Sequence, residues 1–204
     1  MKPRDGASQA DLFGADAVGS LPAGLPDGLR YESGFLPPAE EAALVGHIEA
    51  LPLAPMRYQQ FTALRRVVNY GGRYDFSAQQ LNEAEPIPPW LQPLRDRAAD
   101  WAGLAASDLH HALVAEYRPG TPLGWHRDVP DYEDVIGISL AGEAILRFRR
   151  YPPRAPKKAD VIRLTVAPRS IYLLRGEARW GWQHSVAPTR VLRYSITFRT
   201  RRGA

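Results

Sequence analysis

The chain has 204 residues, 45% hydrophobic and 24% charged, enough to bury one core of ordinary to large size. It has no cysteine, which excludes disulfides, thiolate metal sites and cysteine nucleophiles. Its formal net charge of +4 favours polyanionic partners, and no apolar run approaches the roughly 20 residues that cross a bilayer. No basic-then-apolar leader opens the chain, so the expectation is a cytoplasmic protein, monomeric by default.

Residues 1 to about 30 are rich in Gly, Ala, Asp and Pro without a sustained period, and read as a flexible tail. Residues 38–51 predict a helix, with Pro37 and Pro38 ahead of it, Glu40 and Glu41 in its first turn, and Leu44, Ile48 and Leu51 in one stripe. Two short strands are expected over 56–61 and 64–70, ended by Gly71-Gly72. A second helix is expected from Pro89 to about Leu104, with Trp90, Leu94, Ala98 and Trp101 at helical spacing. From His111 onward the pattern is strands: 111–118, 134–140, 144–151, 160–166, 170–175, 183–187 and 190–200, with turn residues between them. Such a run predicts a sandwich or jelly roll flanked by N-terminal helices.

His126-Arg127-Asp128 places two metal-binding side chains on one side of an extended segment, because residues two apart point the same way. His184 begins a late strand that a barrel can return beside them. Two histidines and one carboxylate form the facial triad of non-haem Fe(II) oxygenases, with the opposite face open. Zinc suits the same ligands. His47, His110 and His111 are rivals, but His47 sits on the expected helix, and no carboxylate follows His110 or His111 two residues on.

The strand 192–199 decides for iron. Leu192, Tyr194, Ile196 and Phe198 share one face, and Arg193, Ser195, Thr197 and Arg199 share the other. Two arginines roughly 20 Å apart along a strand can lean inward and bracket a short diacid such as 2-oxoglutarate. Tyr117 can donate a phenolic hydrogen bond to the same acid.

Taken in order, Tyr117-x-Pro119-Gly120, His126-x-Asp128, His184 and Arg193-x-Ser195-x-Thr197-Phe198-Arg199 resemble the AlkB family of Fe(II)/2-oxoglutarate dioxygenases. Upstream, Arg65-Arg66, Tyr70-Gly71 and Tyr74-Asp75-Phe76-Ser77 are similar to the substrate flap of its nucleic-acid-demethylating members. The resemblance implies a double-stranded β-helix, one domain over 31–204 with a lid over about 56–77 and a core over about 111–200. It implies Fe(II) on His126, Asp128 and His184, Arg193 on the distal carboxylate of 2-oxoglutarate with Tyr117 assisting, and Arg199 near the keto-acid end, with Ser195 between. It implies oxidation of an N-alkyl group on a nucleobase, whose hemiaminal collapses to an aldehyde beside succinate and CO2. This chain departs from the family pattern at Ala115, Pro130 and Ser195, which bears on the choice of base.

A duplex base must be flipped out, or offered on a single strand, to reach such a centre. Tyr70, Tyr74, Phe76 and Trp125 are candidate walls for it, and Arg66, Arg73 and the cluster Arg147, Arg149, Arg150, Arg154, Lys157 and Lys158 are candidate phosphate holders. Gln9-Ala10-Asp11-Leu12-Phe13 resembles a sliding-clamp docking peptide. The expected function is oxidative dealkylation of nucleobases in DNA or RNA. The same chemistry on tRNA or protein is the alternative, and a non-catalytic metal- or nucleic-acid-binding barrel is the third.

Overall fold

The computed structural model describes residues 21–58, 61–75, 80–82, 84–153 and 160–203. Among the described residues, thirteen strands and three α-helices follow in chain order: β1 (Leu29–Glu32), α1 (Pro38–Glu49), β2 (Ala54–Tyr58), β3 (Phe61–Tyr70), β4 (Arg73–Asp75), β5 (Gln80–Asn82), α2 (Gln92–Ala102), β6 (Leu109–Tyr117), β7 (Leu123–His126), β8 (Tyr132–Leu140), β9 (Ala144–Arg150), β10 (Ile162–Val166), β11 (Ser170–Leu174), α3 (Glu177–Trp180), β12 (Trp182–Val186) and β13 (Arg193–Arg201). A seven-stranded sheet runs β1-β11-β8-β13-β6-β3-β2, and a four-stranded sheet runs β10-β9-β12-β7. Their inner faces oppose each other to make the double-stranded β-helix.

The large sheet separates two cores. Even-numbered residues of its central strands, among them Ala112, Val114, Ile136, Ile138, Ile196 and Phe198, pack with Leu44, Ile48, Leu94 and Ala98 of the helices. Odd-numbered residues, such as Leu113, Ala115 and Val135, face Leu146, Phe148 and Val186 of the small sheet. Each fully buried Leu, Ile or Phe here contributes about 1.5–3 kcal/mol. The two-residue period of a strand thus serves two layers at once.

Both helices form where their sequences favour them. Pro38 sits in the first turn of α1 with Glu40 and Glu41, and the helix stops at Glu49, ahead of Pro52. A 3-10 turn over Pro89–Leu91 leads into α2, which Gly103 ends. Four short strands, β1, β4, β5 and β7, were not expected from the sequence. β1 pairs with β11 and forms one edge of the large sheet. Residues 61–70, expected within a lid, form one long strand that pairs with β6 inside the large sheet.

The turn after β6 sets up the site. Arg118-Pro119-Gly120-Thr121 has proline second, Gly120 at φ 84°, and a Thr121 N–H donated to the Arg118 carbonyl at 2.9 Å. Those are the marks of a type II turn, in which only glycine is comfortable at the third position. Thr189 clamps it, its hydroxyl donating to the Arg118 carbonyl at 2.8 Å. The chain crosses there from the large sheet to the small one, and β7 begins.

Candidate functional site

His126 ends β7, and the antiparallel register of β7 with β12 sets His184 directly opposite it. The two imidazoles lie 4.2 Å apart between centroids. Asp128 follows two residues later on the loop, and one ligand atom from each of the three lies within 4.8 Å of the others. The Nδ1 of His126 donates to the Gly124 carbonyl at 2.9 Å, which leaves Nε2 as a lone-pair donor.

Electrostatics keep all three in metal-binding form. Burial lowers the pKa of His126 and takes that of His184 down to about 3, where the charge of His126 adds to it, so both imidazoles are neutral. Burial alone would raise Asp128, but Arg199 first, then His184 and His126, hold its carboxyl well below the usual carboxylate range. Arg199 grips one oxygen, Oδ1, through Nε and Nη2 at 2.7 Å each. The other oxygen, Oδ2, is buried without a hydrogen-bond partner, and lies 3.6 Å from the Nε2 of His184. An orphaned carboxylate oxygen facing two imidazole nitrogens fits a divalent cation.

The loop carrying Asp128 is held from beneath by a residue that sequence reading missed. Arg179 of α3 is 2% exposed and donates through Nη2 to the carbonyls of Asp128, Val129 and Tyr132 at 3.1, 2.8 and 2.8 Å. A four-residue helix gives too short a period to recognise, so nothing in the sequence singled this arginine out. His111, which the sequence offered only as a rival ligand, supports the site from the large sheet. Arg199 donates to its Nδ1 at 3.1 Å, and its Nε2 donates to the Asn69 side chain at 3.3 Å. Burial, then the charge of Arg199, lowers its pKa well below the usual histidine value, so it is neutral and acts as an orienting acceptor rather than a ligand.

A cavity runs from this cluster between the two sheets. Arg193, Ser195, Thr197 and Arg199 of β13 line it, with Tyr117, Leu113 and Val135 from the large sheet and Leu146 and Val186 from the small one. Arg193 is 1% exposed and is the largest fully buried side chain among the described residues. Its Nε donates to the Ser139 hydroxyl at 2.9 Å and its guanidinium lies 5.0 Å from the centre of the Tyr117 ring. Among the described residues, no carboxylate forms an ion pair with it. An isolated buried charge costs several kcal/mol, so this arginine is built for a bound anion. Burial would raise the Tyr117 phenol, but Arg65 and Arg193 outweigh it and lower its pKa, and Ser195 hydrogen-bonds to it.

The two arginines of β13 therefore play unlike parts. Arg193 faces the cavity end beside Tyr117, whereas Arg199 spends its fork on Asp128 instead of closing on a diacid from the other side.

The expected substrate residues fare differently. Arg66 points to the helix side of the large sheet, where it pairs with Glu116 at 3.2 Å and donates to the Leu53 carbonyl. Tyr70 packs on the same helix-side core. Parity is the reason: on β3 the odd residues face the cavity, and Arg65 is the arginine that lines it, its Nη1 3.4 Å from the Tyr117 hydroxyl. Trp125 is likewise turned away from the cavity, because its neighbour His126 points in; its ring lies under Arg149 and Arg147, with guanidinium carbons 4.5 and 5.3 Å from its centre. The backbone of Tyr74 lies in β4. Phe76, the tail peptide Gln9–Phe13, and Arg154, Lys157 and Lys158 lie outside the described residues.

Residues 28–199 match the family model described as the 2OG-Fe(II) oxygenase superfamily. The chain is 31% identical over 180 residues to the alkylated DNA repair protein ALKBH8 homolog of Arabidopsis thaliana, covering 78% of this chain and 50% of that protein. It is 24% identical over 169 residues to the Xenopus tropicalis tRNA (carboxymethyluridine(34)-5-O)-methyltransferase alkbh8, covering 80% and 26%. It is 25% identical over 169 residues to the "Probable RNA/DNA demethylase ALKBH6" of Danio rerio, covering 79% and 70%. The chain thus spans half or less of the length of several curated relatives it matches. Among solved structures, OsALKBH1 superposes with a TM-score of 0.69 at 14% identity, covering 89% of this chain and 100% of that one. A Pseudomonas putida prolyl-4-hydroxylase superposes at 0.56 and 16% identity, covering 86% and 94%. Both share the fold.

Proposed function

Because this chain belongs to the AlkB family of 2OG-Fe(II) oxygenases, it is a dioxygenase using Fe(II) and 2-oxoglutarate, and we propose that it removes N-alkyl groups from nucleobases in DNA or RNA. The observation that carries the cofactor part is the pairing of His126, Asp128 and His184 with a buried, carboxylate-free Arg193 in one cavity. Relatives named for repair of alkylated DNA and for RNA/DNA demethylation support the nucleobase part.

Bound Fe(II), with 2-oxoglutarate and O2, supplies the oxidation of a C–H bond to C–OH. The residues of this chain do the rest. His126 and His184 offer neutral nitrogens, and Arg199 keeps Asp128 ionised and turned so that Oδ2 faces them. Arg193 would take the distal carboxylate of the cosubstrate through its guanidinium, with Tyr117 and Ser195 beside it. Leu113, Val135, Leu146 and Val186 keep water from the reacting groups. Hydroxylation of the alkyl carbon gives a hemiaminal that breaks its C–N bond without a protein base, releasing an aldehyde.

The test is anaerobic loading with Fe(II) and 2-oxoglutarate, then oxygen with single-stranded DNA and RNA oligonucleotides carrying 1-methyladenine or 3-methylcytosine. Loss of one methyl mass with matching formaldehyde, absent in His126→Ala, is the expected result. Succinate release with no change in any base would overturn the nucleobase reading while leaving the oxygenase. A modified tRNA is then the second reading, which the tRNA-directed name of one relative favours.

A further inference from the structure

The outer face of the small sheet is more basic than a solvated surface needs to be. Strands β9 and β10 alternate: Leu146, Phe148, Leu164 and Val166 point inward, while Arg147, Arg149 and Arg163 point out. Arg163 stands directly opposite Arg147 in the antiparallel register. Like charges in that position repel and destabilise a sheet. Burial, then the charge of Arg163, lowers the pKa of Arg147. No carboxylate among the described residues forms an ion pair with any of the three. The other outward positions on β9, β10 and β12, namely Ile145, Thr165, Gln183 and Ser185, carry no charge.

Two of these arginines, Arg147 and Arg149, are also pre-ordered. The Nε of Arg147 donates to Ser185 at 3.0 Å and that of Arg149 donates to Gln183 at 2.8 Å, so β12 fixes the inner edge of each fork. Trp125 lies beneath both guanidiniums. An arginine whose stem is stacked and whose Nε is tied loses little freedom when its outer nitrogens take a phosphate. A uniformly cationic face with ordered forks and no counter-charge complements a chain of regularly spaced anions.

We infer that Arg147 and Arg149, braced by Trp125, Gln183 and Ser185, together with Arg163, form a track for the phosphodiester backbone of a nucleic-acid strand on the outer face of the small sheet. The track lies on the far side of β7 and β12 from the metal ligands, so it acts outside the cavity. It holds the substrate strand without reading its bases. The inference rests on nucleic acid being the substrate, but not on which base is dealkylated.

The experiment is fluorescence anisotropy with the full chain loaded with Fe(II) and 2-oxoglutarate without oxygen. The probe is a labelled, unmodified single-stranded oligonucleotide of about 16 nucleotides, titrated between about 50 and 200 mM salt. The combined variant Arg147→Gln, Arg149→Gln, Arg163→Gln should lower the slope of log affinity against log salt by about 2, since each single-strand phosphate contact is worth about 0.7. Arg163→Gln alone changes only an exposed side chain, and should lower it by about 0.7. Unchanged slopes in both variants, with melting curves like the parent, would overturn the inference. So would failure of the parent to bind the strand, or its displacement by polyglutamate at equal charge concentration, which would mark an acidic-protein site. Because the strand is unmodified, a wrong choice of base cannot mimic any of these results.

Discussion

A guanidinium sealed from solvent without a carboxylate is an unfavourable thing to keep, and Arg193 is kept 1% exposed. Its replacement separates charge from shape. Arg193→Lys retains the charge but loses the fork, and Arg193→Ala loses both. Hydrogen bonds to a charged group contribute about 1.5–3 kcal/mol, so Arg193→Ala should raise the KM for 2-oxoglutarate roughly 10- to 150-fold, with Arg193→Lys between. Cosubstrate titrations with succinate as the readout check this, and an unchanged KM in both variants would place the distal carboxylate elsewhere. At this scale the sequence was legible wherever chemistry and a two-residue period coincide, as at His126 and Asp128 or along β13. It was illegible where parity alone decides. Arg65 and Arg66 are identical side by side, and only the register of β3 with β6 sends one to the cavity and the other to Glu116. Trp125 misleads for the same reason, being next to a ligand and therefore on the other face.

Among the elements, β8 contributes a gap rather than a side chain. A Cβ on Gly137 would collide with the ring of Tyr172, which crosses that position from β11 and lines the cavity. Gly137→Ala should therefore force the ring aside and cost about 1–3 kcal/mol, measured as a drop in the urea midpoint, together with weaker 2-oxoglutarate binding. Full stability in that variant would mean that Tyr172 relaxes freely. Strands β6 and β8 to β12 could be read within two residues, and β13 within three, because their alternation and turn residues agree. The elements that escaped are short. β1 has four residues among prolines and glycines, and α3 has four in all, yet α3 supplies the arginine that holds the loop of Asp128. Too few residues to show a period can still position a ligand.

For the molecule as a whole, three buried histidines set how the metal-free protein responds to acid. His111, His126 and His184 all have pKa values below the ordinary 6.5, so the unfolded chain binds protons that the fold refuses. Their stabilising contribution is complete above about pH 6.5 and is lost as pH falls, for His184 down to about 3. Each histidine can remove up to about 1.4 kcal/mol per pH unit in that window. Urea midpoints of the chelator-treated protein at pH 7 and pH 5 should differ sharply, and equal midpoints would mean that these imidazoles charge within the fold.

β13 is the strand on which the molecule turns. It pairs with β6 on one side and β8 on the other, and its alternate residues anchor the helices and line the cavity. Its backbone amides have no private route to solvent. Proton exchange at Ser195 and Thr197 therefore has to wait for the opening that unravels the central sheet, and ligand bound against those residues slows exchange in the helix-side core as well.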